Sequence, residues 1–433
     1  MYFLYSLLLT LVMVLLSPYF LVQGLRHKKY LHNIGERLGL LPRELRQENP
    51  GALWLHAVSV GEALAATELA AKLKQRFPQR RLFVSTTTLT GQLVVRERMP
   101  FVDGTFYFPF DWAHAVRRTL RQIQPALVVI VETEIWPNFL REAHRAGVRV
   151  VFANGRISDR SFHRYGWLRG LLGRVLATPE LFLMQSEEDA RRLIALGADP
   201  GRVRAAGNLK YDFAPQRETP VVRALEQAWK GRRVLVAGST MPGEEEFILE
   251  AAKTLRAEFA DFALLLAPRH PERFAEVWRA IESRNVRAAR RSEWREGEPL
   301  GGVDVFLLDS VGELAAAYCL AEVALVGGSF IPRGGHNILE PAYYGKPIMF
   351  GPFMENFREQ AGQFVAAGAA RQLRDASELT AVLRALFASP QEAADMGKRA
   401  RDLLGASRGA TDRVVDAIVG LLQPSGRLTG VRA

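Results

Sequence analysis

The short segment with the clearest chemical potential is Ser-Val-Gly-Glu at residues 59–62, which follows an apolar run, ALWLHAV. A serine followed three residues later by a glutamate is a helix capping box, in which Glu62 reaches back to the helix start. A carboxylate at the point where a strand becomes a helix can also serve as a general base. The sequence therefore predicts a helix after Ser59 and leaves both roles open for Glu62.

Polar residues follow nearly every apolar run, and several of them carry functional groups: Glu132, Glu134, Asn154, Ser239, Arg269, His270, Asp309 and Glu313. Ligands of doubly wound sheets bind at the carboxyl ends of the strands, so this pattern predicts ligand sites there. Arg269, after Pro268, can bind a phosphate through paired hydrogen bonds or can be an ordinary surface arginine.

The glycine-rich segment GGSFIPRGG at residues 327–335 is the strongest signal for a phosphate or nucleotide. We expect a loop with exposed backbone N–H groups and a helix from about Asn337, which together make an anion site. The alternative is a plain glycine-rich turn. Glu340, one turn into that helix, can accept from ribose hydroxyls or can complement the helix dipole. The segment matches neither a Walker loop nor a dinucleotide fingerprint.

Metal chemistry is not predicted, and no cofactor is expected. The chain contains neither D-x-D nor H-E-x-x-H, and Glu132 and Glu134 would point oppositely at the end of a strand. The single cysteine, Cys319, lies in an apolar pattern and is interpreted as an inert core residue.

Two series of alternating strands and helices must position these residues. The predicted strands are 52–57, 81–87, 104–109, 126–132, 148–153, 180–185, 234–239, 262–268, 303–309, 322–328 and 346–351. Such alternation predicts an α/β fold with two doubly wound, Rossmann-like domains, which would face each other across a cleft. The predicted boundaries are 26–212 for the N-terminal domain, 213–230 for a linker and 231–433 for the C-terminal domain.

The N-terminal segment 1–25 carries no charged side chain and is long enough to span a bilayer. It is followed by RHKK at residues 26–29, which the positive-inside rule places in the cytoplasm. We therefore predict a single N-terminal membrane-anchor helix, with the remaining chain on the cytoplasmic side of a bacterial inner membrane. A helix lying in the interface, or one buried in the core, is the alternative.

The composition favours an anionic partner. The 433 residues carry a formal net charge of +11, with arginine and lysine scattered along the chain. An anionic membrane surface or a phosphorylated substrate fits this distribution. No zinc-finger spacing or aromatic RNA-binding motif is present, so nucleic acid is not an expected partner.

Several motifs together resemble one family: SVGE (59–62), ETEIWPN (132–138), NGRIS (154–158), GNLKYD (207–212), GSTMPGEE (238–245), APRHPERF (267–274), DSVGEL (309–314) and GGSFIPRGGHNILEPAYYGKPIMFGP (327–352). The chain resembles the 3-deoxy-D-manno-octulosonic acid (Kdo) transferases over nearly its whole length. These are membrane-associated bacterial glycosyltransferases of the GT-B fold. The resemblance implies an inverting transfer of Kdo from CMP-Kdo to the distal glucosamine 6-hydroxyl of a lipid A precursor, lipid IVA, with release of CMP.

The resemblance also implies roles for individual residues. Glu62 matches the catalytic base, and Glu132 and Lys210 match residues that support the transition state. The residues that match the CMP site are Pro268, Arg269, Val311, Gly312, Glu313, Asn337, Ile338, Leu339 and Glu340. The acceptor is expected on the N-terminal domain and CMP-Kdo on the C-terminal domain. The rival hypothesis is another membrane-surface GT-B transferase that uses a UDP-sugar.

Overall fold

The computed structural model describes residues 2–27, 33–47, 49–166, 169–212 and 219–423, with the backbone alone at 16–27 and 160. The chain divides into two compact units. Unit 1 comprises Met1–Asp212 and Ser407–Ala433, and unit 2 comprises Phe213–Ala406. Of the linker predicted at 213–230, residues 213–218 lie outside the described residues.

Unit 1 is an α/β unit whose described strands all run parallel. Its strands are β1 (Ala52–His56), β2 (Leu82–Thr86), β3 (Gly104–Tyr107), β4 (Pro125–Val131), β5 (Arg149–Gly155), β6 (Leu181–Met184) and β7 (Val203–Ala205). Their spatial order is β3-β2-β1-β4-β5-β6-β7. Its helices, apart from the C-terminal one, are α1 (Tyr2–His27), α2 (Ile34–Arg37), α3 (Val60–Ala65), α4 (Thr67–Arg76), α5 (Leu89–Arg98), α6 (Ala113–Ile123), α7 (Pro137–Arg145), α8 (Asp159–Gly166), α9 (Arg169–Leu176) and α10 (Glu187–Ala195).

Unit 2 repeats this architecture. Its strands are β8 (Arg233–Thr240), β9 (Phe262–Pro268), β10 (Ala288–Arg290), β11 (Val305–Leu307), β12 (Val323–Val326), β13 (Ile348–Phe350) and β14 (Ala370–Gln372). They are parallel, in the order β10-β11-β9-β8-β12-β13-β14. Its helices are α11 (Pro220–Ala228), α12 (Glu244–Glu258), α13 (Phe274–Glu282), α14 (Leu314–Ala317), α15 (Leu339–Tyr343), α16 (Arg358–Ala366), α17 (Leu379–Ala388) and α18 (Pro390–Ser407).

The strands are buried on both faces, which explains why their sequences are continuous apolar runs. In β1, Trp54 belongs to the hydrophobic core on one side of the sheet, while Leu53 and Leu55 belong to the core on the other. Parallel strands covered by helices on both faces need apolar side chains at every position. The predicted fold class of two doubly wound α/β domains is confirmed at this level.

The last helix, α19 (Ala410–Leu422), belongs to unit 1, whereas the sequence predicts one domain from 231 to 433. Val414, Ile418 and Val419 pack into the same core as Leu69 and Leu73 of α4. Asp212 accepts a hydrogen bond from the Gly409 N–H at 2.6 Å and another from the Thr411 N–H, which caps the helix. The chain therefore leaves unit 1 after Asp212 and returns to it at Ser407.

Three strands and one helix differ from the sequence expectation. The strands β7, β10 and β14 were not predicted, because each has three residues and lies at a sheet edge without an apolar run. Helix α11 occupies half of the predicted linker 213–230. Its Pro220 stands in the first turn, where proline fits a helix, and Val221, Val222 and Leu225 are buried in the core of unit 2.

Helix α1 begins at Tyr2, in the segment predicted as the membrane anchor. Ser6 accepts a hydrogen bond from Asn138 Nδ2 at 2.9 Å, and Thr10 accepts one from Trp112 Nε1 at 3.0 Å. The Arg141 guanidinium lies 4.4 Å from the centre of the Tyr2 ring. In the part of the chain that is described, no helix is both long and apolar enough to cross a membrane.

Candidate functional site

In unit 1, the candidate site lies where the order of the strands reverses. Strand β1 lies between β2 and β4, so the connections that leave β1 and β4 diverge at their carboxyl ends. Such a switch point is where doubly wound sheets bind ligands. Glu62 follows β1 and Glu132 follows β4, so the topology brings these two carboxylates to the same point.

Glu62 is held by two hydrogen bonds. Its Oε2 accepts from the Val58 N–H at 2.6 Å, and its Oε1 accepts from the Ser59 hydroxyl at 2.9 Å. Ser59 is the N-cap of α3, and its hydroxyl also lies 3.4 Å from the Glu62 N–H. The predicted capping arrangement is therefore present, although the carboxylate binds the N–H of Val58 rather than that of the N-cap residue itself.

The environment of Glu62 raises its affinity for a proton. The side chain is buried, with 8% of the residue exposed. Burial raises the pKa of Glu62 to about 7; the hydrogen bonds from Val58 and Ser59 oppose this shift, and the charges of Glu132 and Glu134 add to it. A helix N-terminus alone would keep a carboxylate ionised, so the raised pKa of Glu62 comes from burial in the fold rather than from the local sequence.

Glu132 and Lys210 are brought together in unit 1. The Lys210 Nζ lies 3.6 Å from Glu132 Oε1, and both side chains are about one-third exposed. Glu132 has a φ of 64°, a left-handed conformation that is strained for a residue other than glycine. This turn directs the chain away from the sheet at the end of β4.

The segment that carries Lys210 is fixed from two sides. Asn154 Oδ1 accepts from the Leu209 N–H at 2.9 Å, and Asn208 Oδ1 accepts from the Lys210 N–H at 3.0 Å. Asp212 then ties the end of the segment to α19. The ammonium of Lys210 thus lies beside Glu132, whose charge adds to the effect of burial in raising the pKa values of Glu62 and Glu134. Among the described residues, no group of three His, Cys, Asp or Glu is arranged to hold a metal ion.

In unit 2, the glycine-rich loop differs from the expectation of exposed N–H groups. The buried carboxylate of Glu244 accepts from the backbone N–H groups of Gly328, Ser329 and Phe330 at 2.7–3.1 Å, and from that of Met241 at 2.9 Å. The protein's own carboxylate therefore occupies the anion position that the sequence assigns to a ligand. The helix that follows, α15, begins at Leu339 rather than at Asn337 and has only five residues.

A cluster of basic side chains lies at the carboxyl ends of β9 and β12. Arg269 is exposed, and its N–H donates to the Thr240 carbonyl at 2.9 Å, which fixes its backbone at the end of β9. Burial lowers the pKa of His336 to about 4, and the positive charges of Arg269 and His270 lower it further. His336 is therefore neutral near pH 7, and its Nε2 is buried without a hydrogen-bond partner among the described residues.

The segment 311–313 is exposed at Val311 and turns at Gly312, whose φ is 95°. Glu313 is not a free carboxylate: its Oε2 accepts from Arg291 Nε at 2.8 Å and from the Ser310 hydroxyl at 2.6 Å. These contacts hold the segment after β11 in place. A ligand in this region would meet backbone atoms and the Val311 side chain.

The segment 337–340 offers polar groups only at its two ends. Asn337 Nδ2 donates to Glu340 Oε1 at 3.2 Å, and Asn337 Oδ1 accepts from the Leu339 N–H at 3.1 Å. The side chains of Ile338 and Leu339 are fully buried, so only their backbone can reach a ligand. Pro268 is buried at the end of β9 and contributes shape rather than a donor.

Two residues of unit 2 were missed as parts of the candidate site. His336 stands in the motif RGGHN directly before Asn337, and its position beside two glycines was the available signal. Glu244 stands in MPGEEE, where three successive glutamates at a helix start are read as dipole-complementing residues. No local pattern shows that the first of them binds a loop more than 80 residues away.

The chain is similar to known 3-deoxy-D-manno-octulosonic acid transferases over most of its length. The family model described as 3-deoxy-D-manno-octulosonic-acid transferase (kdotransferase) matches residues 32–213. The 3-deoxy-D-manno-octulosonic acid transferase of Haemophilus influenzae is 32% identical over 421 residues, which cover 96% of this chain and 97% of the relative. The enzyme of the same name from Bordetella pertussis is 36% identical over 84% of this chain and 86% of the relative.

Among solved structures, a UDP-N-acetylglucosamine 2-epimerase matches with a TM-score of 0.55 over 89% of this chain and 100% of its own, at 13% sequence identity. At that identity the likeness concerns the fold alone. It agrees with a GT-B-like fold that contains two α/β units, each built on a parallel sheet of seven strands.

Proposed function

We propose that this chain, which belongs to the 3-deoxy-D-manno-octulosonic acid (Kdo) transferase family, moves Kdo from CMP-Kdo to the distal glucosamine 6-hydroxyl of a lipid A precursor. As a Kdo transferase it is a glycosyltransferase of lipopolysaccharide biosynthesis. In this proposal unit 1 binds the acceptor and unit 2 binds the donor. The main support for the mechanism is that Glu62, at the switch point of unit 1, is a buried carboxylate with a raised pKa.

Glu62 is the proposed base. In the transfer, its carboxylate takes the proton of the acceptor hydroxyl while the hydroxyl oxygen bonds to the anomeric carbon of Kdo. The bond from that carbon to the phosphate oxygen breaks, and its electron pair leaves with CMP, so the configuration inverts. A base is most effective when its pKa lies near the working pH, and general-base catalysis contributes roughly 10²–10⁴-fold. A pKa of about 7 for Glu62 fits that requirement.

Lys210 and Glu132 are the proposed supporting pair. Their 3.6 Å ion pair places a positive charge at Glu132, whose own charge acts on Glu62. Fixed charges that are oriented before the reaction stabilise developing charge without the cost of reorganising solvent. In this role Glu132 holds the ammonium of Lys210 in position as negative charge moves from the acceptor toward the leaving phosphate.

The proposed CMP site lies at the carboxyl edge of the sheet in unit 2. Arg269 is exposed and can bind a phosphate through paired hydrogen bonds, and neutral His336 can donate one hydrogen bond from Nε2. The backbone of 311–313 and of 337–340, with the side chains of Asn337 and Glu340, supplies contacts for the nucleoside. A single phosphate can be neutralised by such groups, so the proposal requires no metal ion.

Helix α1 is the proposed membrane contact, which would keep the enzyme at the cytoplasmic face of a bacterial inner membrane. Tyr2, Ser6 and Thr10 contact the body of unit 1, so they define one face of the helix. The exposed apolar side chains Phe3, Leu4, Leu7, Leu8, Leu11, Val14 and Leu15 define the rest. A helix held to its domain by one face suits a position in the membrane interface, and the basic chain would favour an anionic surface.

A direct test is to incubate the purified chain with CMP-Kdo and lipid IVA and to measure the product by mass spectrometry. We expect the acceptor to gain the mass of one or more Kdo residues, and CMP to be released in equal amount. The rival hypothesis, a UDP-sugar donor, predicts no product with CMP-Kdo and thermal stabilisation by UDP rather than by CMP. That combination of results would overturn the proposed function.

A further inference from the structure

A second group of polar residues in unit 1 lies close to Glu62 but has no role in the mechanism above. It consists of Arg37, Thr87, Arg96 and Tyr107. Three hydrogen bonds connect it to the base: the Val58 N–H donates to Glu62 Oε2, the Thr87 N–H donates to the Val58 carbonyl at 3.3 Å, and Arg37 Nη2 donates to the Thr87 carbonyl at 2.6 Å. The group is therefore one loop away from the proposed catalytic carboxylate.

Neither Arg37, which is half-buried, nor Arg96, which is exposed, forms an ion pair with a described carboxylate. Arg37 is half-buried, stacks 4.7 Å from the centre of the Tyr107 ring, and forms no ion pair with any described carboxylate. Arg96 makes only long contacts of 3.4 Å, to Thr105 Oγ1 and to Gln92 Oε1, and also forms no ion pair within the described chain. Unlike Arg37, the similarly half-buried Arg232 and Arg273 of unit 2 bind Asp304 and Glu245 directly.

The two guanidinium groups act on the same point. Arg37 stacks on the Tyr107 ring, and Arg96 Nε lies 3.4 Å from Thr105 Oγ1, which is on the same face of β3 as Tyr107. Burial raises the pKa of the Tyr107 hydroxyl, and the charges of Arg37 and Arg96 lower it. Glu36 is nearby, but one of its oxygens accepts the Tyr107 N–H at 2.9 Å. Two positive charges and one negative charge leave an excess of positive charge here.

The hydroxyl of Thr87 is a hydrogen-bond donor that no described residue accepts from. Thr87 Oγ1 is buried and has no hydrogen-bond partner among the described residues. A buried hydroxyl without a partner costs free energy unless a ligand or water satisfies it. Its residue is the one whose carbonyl binds Arg37.

We propose that Arg37, Arg96 and the hydroxyl of Thr87 form a binding site for a phosphomonoester of the acceptor, beside the hydroxyl that Glu62 deprotonates. A phosphomonoester carries up to two negative charges and three accepting oxygens, which suits two guanidinium groups and a hydroxyl. The site would fix the orientation of the acceptor because it lies one loop from the base. The inference rests on the proposed function, since it assigns a recognition role within the same reaction.

The test compares phosphorylated lipid IVA with the same acceptor after its phosphates have been removed enzymatically. In Arg96→Gln we expect the KM for the phosphorylated acceptor to rise roughly tenfold, since a charge-assisted hydrogen bond is lost. The KM for the dephosphorylated acceptor and that for CMP-Kdo should stay unchanged. The matched control is Arg98→Gln on the same helix, where Arg98 pairs with Glu97 and has no contact with this group.

Thr87→Val separates binding from folding. Because the hydroxyl has no partner in the protein, valine should leave the thermal midpoint equal or higher, yet raise the KM for the phosphorylated acceptor several-fold. If Thr87 had only a structural role, valine should lower the thermal midpoint and leave the KM for the phosphorylated acceptor unchanged. Arg37→Lys keeps the positive charge but loses the planar guanidinium group. It should raise the KM for the phosphorylated acceptor by a smaller factor than Arg96→Gln does relative to Arg98→Gln.

Inorganic phosphate serves as an independent probe. It should inhibit the wild type in competition with the acceptor, and inhibit Arg96→Gln less. If Arg96→Gln behaves like Arg98→Gln, or raises the KM for CMP-Kdo instead, the site does not bind the acceptor's phosphate and the inference is overturned. If the wild type transfers no Kdo to either acceptor, the proposed function fails and the inference fails with it.

Discussion

At the scale of a single residue, Glu62 combines a structural contact with the proposed role of a base. The hydrogen bonds from Val58 and Ser59 hold its carboxylate rigidly at the start of α3, as a cap would. Burial raises its pKa to about 7 in the free enzyme, so the group does not depend on acceptor binding to become an effective base. The two roles are compatible because the cap fixes the position of the carboxylate and burial sets its proton affinity.

Gly61 provides a test of where the acceptor approaches. A Cβ atom at Gly61 would meet only Ser59 Oγ at 3.9 Å, so the protein itself has room for a methyl group. Gly61→Ala should therefore keep or slightly raise the stability, since alanine favours a helix over glycine by about 1 kcal/mol. If the acceptor passes over this position, the KM for the acceptor should rise at least about tenfold, since binding would lose contacts worth ~1.4 kcal/mol or more. Equal kinetics in the two proteins would place the acceptor elsewhere.

Glu62→Gln tests the buried charge separately from the reaction. The folded pKa of Glu62 is raised, so its contribution to stability is most favourable below the unfolded pKa and is lost as the pH rises toward about 7. Glutamine carries no such cost. The thermal midpoint of Glu62→Gln relative to wild type should therefore increase between pH 5 and pH 8. A pH-independent difference would show that Glu62 titrates normally in the fold.

At the scale of elements, the glycine-rich loop of unit 2 is organised by the first turn of α12. Glu244 accepts four backbone hydrogen bonds, three of them from consecutive residues of the loop. A carboxylate surrounded by N–H groups stands where a bound anion would otherwise be required to order the loop. The loop is thus preformed, which leaves Arg269 and His336 as the groups that can bind the phosphate in the proposed CMP site.

Glu244→Ala should destabilise unit 2 by at least ~3 kcal/mol, because several buried N–H groups lose their acceptor at once. The affinity for CMP should fall as well, since the loop leads directly to His336 and Asn337. The exposed Glu246 in the same turn is the matched control, and Glu246→Ala should cost only about 0.5 kcal/mol. Thermal unfolding and CMP titration measure both effects. A midpoint for Glu244→Ala equal to that of the control would contradict this account of the loop.

The elements that follow from a local sequence pattern were predicted, whereas those that depend on distant contacts were missed. All eleven predicted strands are present, because a strand buried on both faces is visible as an apolar run. The strand β14 was missed because two of its three residues are exposed. The order of the strands decides that Glu62 and Glu132 meet, and no local pattern contains that order. The bond from Glu244 to the loop was missed for the same reason.

At the scale of the whole molecule, the chain completes unit 1 only with its C-terminal helix. The side chains of Ala410, Val414, Val415, Ile418 and Val419 are buried in a core of unit 1, and Asp212 links the start of α19 to the segment of Lys210. The position of Lys210 therefore depends on residues about 200 positions later in the sequence. This explains why a domain boundary based on the order of the strands placed the helix in the wrong unit.

Truncation of the full chain after Ser407 should unfold unit 1 selectively. Burial of a Val or Ile side chain contributes about 1.5–3 kcal/mol, so loss of α19 removes a free energy comparable to the whole stability of a domain. Hydrogen exchange measured by mass spectrometry should show lost protection in β1 and β4 and retained protection in β8 and β9. Truncation after Gln423 is the control and should change neither unit. Equal protection of β1 and β4 in both truncations would refute the dependence.

The central claim, that a buried Glu62 with a raised pKa is the base of a Kdo transfer, is tested most directly by the pH dependence of kcat/KM with CMP-Kdo and lipid IVA. For the wild type we predict a tenfold loss per pH unit below an apparent pKa of about 7 and a plateau above it. Glu62→Gln should be at least ~100-fold slower across the range, without that acidic limb. Substantial activity of Glu62→Gln, or a wild-type limb at the ordinary glutamate pKa of about 4.3, would contradict the claim.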